Sequence, residues 1–218
     1  GLLIGSGVSL TEITENHKIR ELFPALSQAA KLVSAPQLRN MGTIGGNLCL
    51  DTRCNYYNQS FQWRKALGFC LKKDGDICWV ARSSPVCLAI SSSDCAPVAV
   101  ALNAEFHLTG ENGQRISAAE EFYLNDGISF LNKTHDELLV SIRIPSHEGW
   151  LMGYKKLRKR DSIDFPVLSV ATALHLDKAG FCKNARIVLG AVASCPQRAF
   201  EAEKLLKREK PNAELIET

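Results

Sequence analysis

The sequence predicts an α+β fold in two units, the first interrupted by an insertion that follows neither the helical nor the strand period. Three observations carry this. Apolar residues with helical spacing dominate the first third of the 218-residue chain. Strand-like segments dominate the second half, and residues 49–92 crowd Cys, Arg, Lys, Asn and aromatic residues together without periodicity.

Taken in order, residues 2–14 read as a short strand, a turn and a helix start, with Thr11 or Thr14 available as cap. Residues 16–34 are helical in two pieces, and Pro24 opens the second, because a first helical turn needs no N–H there. Residues 35–40 continue as a further helical turn or an irregular link. Gly42-Thr43-Ile44-Gly45-Gly46-Asn47-Leu48 reads as a tight loop with exposed backbone N–H groups. After the insertion, Val98 to Leu102 suits a helix. Residues 104–109 and 114–117 form a hairpin turning at Glu111-Asn112-Gly113. Glu137 to Ile144 is a strand stopped by Pro145. Residues 150–158, 165–176 and 181–192 are further strands. Pro196 to Arg208 is an amphipathic helix with Ala199, Ala202, Leu205 and Leu206 on one side. The break near Pro145–Trp150 divides the chain into 1–146, containing the 49–92 insertion, and a smaller α+β unit, 147–218.

Hydrophobic residues make up 45% and charged residues 22%, the ordinary globular balance. A net charge of +3 argues against a nucleic-acid partner, and no apolar run reaches the roughly 20 residues of a membrane span. The opening Gly1-Leu2-Leu3-Ile4-Gly5 reads as the middle of a fold. His17, His107, His135, His147 and His175 are scattered outside any motif, and no catalytic triad is expected.

Six of the eight cysteines lie between Cys49 and Cys95. Cys54, Cys70, Cys78 and Cys87 form C-x15-C-x7-C-x8-C. Soft thiolates match iron, and four of them suit a cubane cluster. Arg53, Arg64, Lys65, Lys72, Lys73 and Arg82 could offset its negative charge, while Tyr56, Tyr57, Trp63, Phe69 and Trp79 could shield it. Zinc sites usually show closely spaced cysteine pairs, which are lacking here. Spacing alone nevertheless leaves iron–sulfur, zinc, and disulfides or free thiols open. Cys49 and Cys95 flank the insertion and read as plain buried residues, or else as neighbours that support the four ligands; Cys182 and Cys195 read as core residues.

Gly42-Thr43-Ile44-Gly45-Gly46-Asn47, Ser93-Asp94, Asp136-Glu137-Leu138-Leu139 and Tyr154-Lys155 together resemble the FAD-binding middle subunit of the molybdenum hydroxylases, the family of xanthine dehydrogenase and carbon monoxide dehydrogenase. Most members run almost directly from the T-I-G-G-N loop to the S-D motif. The intervening segment here, with Cys54-Asn55-Tyr56-Tyr57-Asn58-Gln59-Ser60, is similar to the cluster-bearing insertion of the 4-hydroxybenzoyl-CoA reductase beta subunits. The resemblance implies a [4Fe-4S] cluster on Cys54, Cys70, Cys78 and Cys87. It also implies FAD with its pyrophosphate on Thr43, Ile44, Gly45, Gly46 and Asn47. Ser93-Asp94 would lie at the ribose, Leu139 against the isoalloxazine ring and Lys155 near the flavin's polar edge.

The resemblance further implies partner subunits holding the molybdenum cofactor and a [2Fe-2S] centre. A donor such as ferredoxin would feed electrons through [4Fe-4S] and FAD to those centres, in the cytoplasm. Residues 1–146 would then be an FAD-binding domain incomplete at its N-terminus, lacking the family's other glycine-rich pyrophosphate loop. Residues 147–218 would be a C-terminal domain incomplete at its end. Two alternatives are an FAD subunit of another molybdenum hydroxylase, acting on xanthine, aldehyde or aromatic substrates, and a zinc-stapled binding module without redox function.

Overall fold

The computed structural model describes residues 1–217, including only the backbone of Ile216. Ser9 opens the first helix. Its hydroxyl accepts the N–H of Glu12 and the Glu12 carboxylate accepts the N–H of Ser9, a reciprocal box that neither Thr11 nor Thr14 could make from inside the turn. Strand β1 (Leu2–Gly5) precedes helices α1 (Leu10–Glu15), α2 (His17–Leu22), α3 (Pro24–Leu32) and α4 (Pro36–Met41). Pro24 and Pro36 sit in first turns, as expected for proline at helix starts. The glycine loop is itself helical: Thr43 caps α5 (Ile44–Leu48) through a 3.0 Å bond from the N–H of Gly46.

The insertion contains one short helix, α6 (Phe61–Ala66), and isolated bridges. Beyond it come α7 (Cys95–Ala101), the hairpin β2 (Glu105–Gly110) and β3 (Gly113–Ala118), the turn helix α8 (Ala119–Phe122) and β4 (Leu138–Ile144). Gly113, at φ +107°, closes the hairpin where the Asn-Gly pair predicted it. The second unit has β5 (Trp150–Leu157), β6 (Leu168–Leu176), β7 (Cys182–Gly190), β8 (Gln197–Arg198), α9 (Phe200–Leu206) and α10 (Ala213–Glu217). Two antiparallel sheets result, β1-β4-β2-β3 and β5-β6-β7-β8.

One apolar core joins them. α7 is buried at every position because it packs against α3 and α5 on one side and β6 and β7 on the other. Phe106, Phe122 and Tyr123 meet edge-on beneath the first sheet. The predicted helix over 196–208 is shorter than expected. Residues 197–198 join the sheet as β8, and Leu205 is exposed while Glu203 is buried. Glu203 earns burial with bonds from Ile187 N–H and the Arg198 guanidinium. Strand β6 starts at Leu168, after Pro166, rather than at 165. Cys95 and Cys182 are core residues, Cys195 lies at the core's edge and Cys49 is half-buried. All eight cysteines are free thiols. Among the described residues no helix is long and apolar enough to cross a membrane.

Candidate functional site

The insertion brings its four cysteines to one place. Cys54 sits at the start of a turn in which Tyr57 and Asn58 donate to its carbonyl, and Asn58 Oδ1 accepts its N–H at 3.0 Å. Cys70 is held in a tight loop, where its carbonyl accepts from Lys73 and Gly75. The Cys87 carbonyl accepts the Gly127 N–H at 2.8 Å. A Cβ at position 127 would come within 2.8 Å of Cys87 Sγ and the backbone of Ala89, so only glycine permits this approach. Cys54, Cys70, Cys78 and Cys87 line a common narrow cavity of about 10 Å³. Tyr56, Tyr57 and Trp79 contribute aromatic walls.

The thiols differ electrostatically. Burial raises the Cys78 pKa, but backbone N–H groups of Ala81, Leu88 and Val80 outweigh it and bring the thiol below its ordinary value. Burial dominates at Cys87 and pushes it up, against the N–H of Ala89. Donors aimed at sulfur are what a metal-bound thiolate needs. Among the described residues, no three His, Cys, Asp or Glu side chains converge on a single ion position. A lone zinc would require donors about 2.3 Å from one point. Here four thiols line one cavity without a single ion position, an all-sulfur donor set of the soft kind that iron and zinc both accept.

The Thr43–Asn47 turn lies beside β1. The N–H groups of Ile44, Gly45, Gly46 and Asn47 bond to Val8 O, Ser6 O, Thr43 Oγ1 and Thr43 O. The expected exposed N–H cradle is therefore already satisfied within the chain, half by the turn's own Thr43 and half by the backbone that follows β1. A Cβ on Gly45 would meet Ser6 at 2.6 Å, so that glycine serves close packing. Gly46 is exposed. Asn47 Oδ1 accepts from Ser93 Oγ at 2.8 Å and from Cys95 N–H at 3.1 Å, which leaves its amide NH2 to donate outward. Leu139 is half-buried on β4, whose Val140 carbonyl accepts the N–H of Ser6. The turn, Ser93 and the Leu139 strand thus lie together.

Asp94 departs from expectation. It is 3% exposed, with Tyr154 Oη donating to Oδ1 at 2.6 Å and Lys156 Nζ to Oδ2 at 2.9 Å. Lys156 also donates to Leu32 O at 3.1 Å. Burial raises the Asp94 pKa, with the Lys156 charge opposing. The carboxylate has no open face for a ribose; it braces the start of α7 to β5. Lys155 is exposed on the other face of β5. Tyr154 and Lys156 were missed as a pair, although the two-residue period of a strand places them on one side.

A cleft of about 570 Å³ adjoins the cysteine cavity and shares Cys54, Tyr56 and Val80 with it. Its other walls include Arg53, Ile90, Ser92 and Phe165. The Arg53 guanidinium lies 4.1 Å from the Phe165 ring centre. Ser92 Oγ is buried without a hydrogen-bond partner among the described residues. An aromatic wall beside an unspent hydroxyl suits a planar ligand with a polar edge.

Residues 1–147 match the model of the FAD binding domain in molybdopterin dehydrogenase. Residues 153–218 match that of the CO dehydrogenase flavoprotein C-terminal domain. The chain is 31% identical over 217 residues to the aldehyde oxidoreductase FAD-binding subunit PaoB of Escherichia coli, covering 95% of this chain and 67% of that one. It is 27% identical to the glyceraldehyde dehydrogenase medium chain of Sulfolobus acidocaldarius, covering 99% and 62%. A crystal structure of Cu,Mo-CO dehydrogenase superposes with a TM-score of 0.74 at 26% identity, over 99% of this chain and 61% of that one. The chain thus spans about two thirds or less of these relatives' lengths. With both units matched and the fold shared, the chain belongs to the FAD-binding flavoprotein family of the molybdenum hydroxylases.

Proposed function

We propose that this chain is the flavin- and iron–sulfur-binding electron-transfer part of a molybdenum hydroxylase complex of the 4-hydroxybenzoyl-CoA reductase type. The observation that carries the reading is the convergence of Cys54, Cys70, Cys78 and Cys87 on one cavity from an otherwise aperiodic insertion. These four residues would hold a [4Fe-4S] cluster. Thr43, Ile44, Gly45, Gly46 and Asn47 would hold FAD through the open face of Gly46 and the Asn47 amide, with Ser93 orienting Asn47. Leu139 and Lys155 would flank the flavin, and Asp94 would act indirectly through its brace with Tyr154 and Lys156. Residues 1–146 would form the FAD-binding domain and 147–218 the C-terminal domain of the subunit.

When bound, the cluster supplies one-electron transfer and the flavin couples one- to two-electron steps. The chain's own contribution is to position these groups and exclude water. The aromatic walls formed by Tyr56, Tyr57 and Trp79 shield the cysteines. The cleft containing Arg53 and Ser92 offers a planar ring a place next to them. Expected partners are a molybdenum-cofactor subunit, a [2Fe-2S] subunit and a donor such as ferredoxin, in the cytoplasm. The aldehyde oxidoreductase relative favours a second reading, in which the complex oxidises an aldehyde or another substrate and the partner subunit decides which.

The test is to release and count cofactors from anaerobically purified protein. One FAD with about four irons and four sulfides supports the proposal. Flavin without iron leaves the second reading, and zinc in place of iron rejects the cluster.

A further inference from the structure

Lys72 is buried, its side chain 7% exposed, and lines the four-cysteine cavity. Its ammonium spends all three protons. One goes to Asp51 Oδ1 at 2.8 Å, one to Thr52 Oγ1 at 2.7 Å and one to the Gly127 carbonyl at 2.6 Å. Thr52 Oγ1 donates to the same Gly127 carbonyl at 2.5 Å. Nζ also lies 5.0 Å from the Tyr57 ring centre and 5.4 Å from that of Phe130.

These partners come from three separated stretches. Asp51 and Thr52 begin the insertion just before Cys54. Lys72 itself follows Cys70. Gly127 belongs to the segment between α8 and β4 and is bonded to Cys87. One ammonium therefore ties together the backbone around three of the four cysteines. Its counter-charge, Asp51, is 52% exposed, so water weakens its opposing field without removing it. The positive end of Lys72 thus remains electrostatically effective on the cavity side.

We propose that Lys72 is the positioning residue of the cysteine cavity: it clasps the insertion shut and places a fixed positive charge beside the group the thiols hold. The inference rests on the cluster reading above. A thiolate-ligated cluster gains negative charge on reduction, so a buried cation beside it stabilises the reduced form and raises the potential. Arg53, Lys65, Lys73 and Arg82 are exposed, and water screens their effect.

The experiment compares wild type with Lys72→Met, Lys72→Arg and Asp51→Asn, each purified anaerobically. It reads iron and sulfide content and the cluster midpoint potential by EPR-monitored titration. Lys72→Met should lower the potential and the iron content, and Lys72→Arg should recover the potential. Asp51→Asn keeps the ammonium and removes its counter-charge, so its potential should rise. Asp51→Asn also keeps the inference testable if Lys72→Met holds no cluster. An unchanged potential in Lys72→Met or, where that variant holds no cluster, in Asp51→Asn would overturn the role of Lys72 while leaving the cluster in place. Wild-type protein without iron would instead overturn the cluster reading, and this inference with it.

Discussion

Residues 91–102 and the insertion they follow are neighbours in sequence and opposites in construction. From Ser91 to Leu102 every residue is buried, and α7 within this stretch is an apolar rod packed between helices α3 and α5 and the second sheet. Across residues 49–90 the buried residues are Thr52, Cys70, Cys78, Cys87 and Ala89. Phe61, Trp63, Ile77 and Val80 stay substantially exposed in the same stretch. The first region is ordered by removing hydrocarbon from water. The second buries Cys70, Cys78 and Cys87 and leaves several of its large apolar side chains out. On the cluster reading proposed above, a segment built this way would depend on what the thiols bind, much as small metal-stapled modules do.

That contrast can be broken or sharpened by perturbing each side. The largest effect belongs to the core. Phe106 is fully buried and packed edge-on against Phe122 and Tyr123. Phe106→Ala should destabilise the whole chain by about 3–5 kcal/mol in denaturant titration. Loss confined to one unit would show that the two sheets do not share a core.

Gly127→Ala should act on the insertion. The new methyl would meet Cys87 and Ala89 in a well-filled site, at a cost of about 1–3 kcal/mol. Limited proteolysis should report faster cleavage within 49–92 and lower iron content, with the pattern elsewhere unchanged. Uniform cleavage along the chain would mean that the insertion is no separate unit.

The smallest effect is a pH dependence in the hairpin region. The Arg115 guanidinium bonds both Glu137 oxygens and Thr134 N–H adds a third bond, drawing the Glu137 pKa down to about 2. A depressed carboxylate stabilises the fold above its unfolded pKa and loses that contribution as pH falls toward the folded value. Wild type should therefore lose stability between about pH 4.5 and 2 more steeply than Glu137→Gln. Parallel acid limbs for the two proteins would remove this pair from the account.

Much of the fold was legible because its signals are local. Pro24 marked a helix start, Asn112-Gly113 a hairpin, and Pro145 the end of β4. What escaped depends on partners distant in sequence. Glu203 on the expected apolar side of a helix is buried because Ile187 and Arg198 receive it. Ser9 rather than a threonine caps α1 because Glu12 reaches back to it. Of the site, the four cysteines were readable by residue type, but their convergence depends on Lys72 and Gly127, which no spacing reveals. Asp94 and Lys155 illustrate the limit of motif reading. The motif marked both residues, whereas strand alternation turns Tyr154 and Lys156 toward Asp94, burying its carboxylate, and leaves Lys155 exposed on the other face.

The most direct test of the central claim is the low-temperature EPR spectrum of anaerobically purified, dithionite-reduced protein, wild type beside Cys70→Ser. The account predicts the signal of a reduced cubane cluster in the wild type, and its loss or conversion when one of four ligands is removed. An identical signal in Cys70→Ser, or a silent wild type that contains zinc, would contradict it.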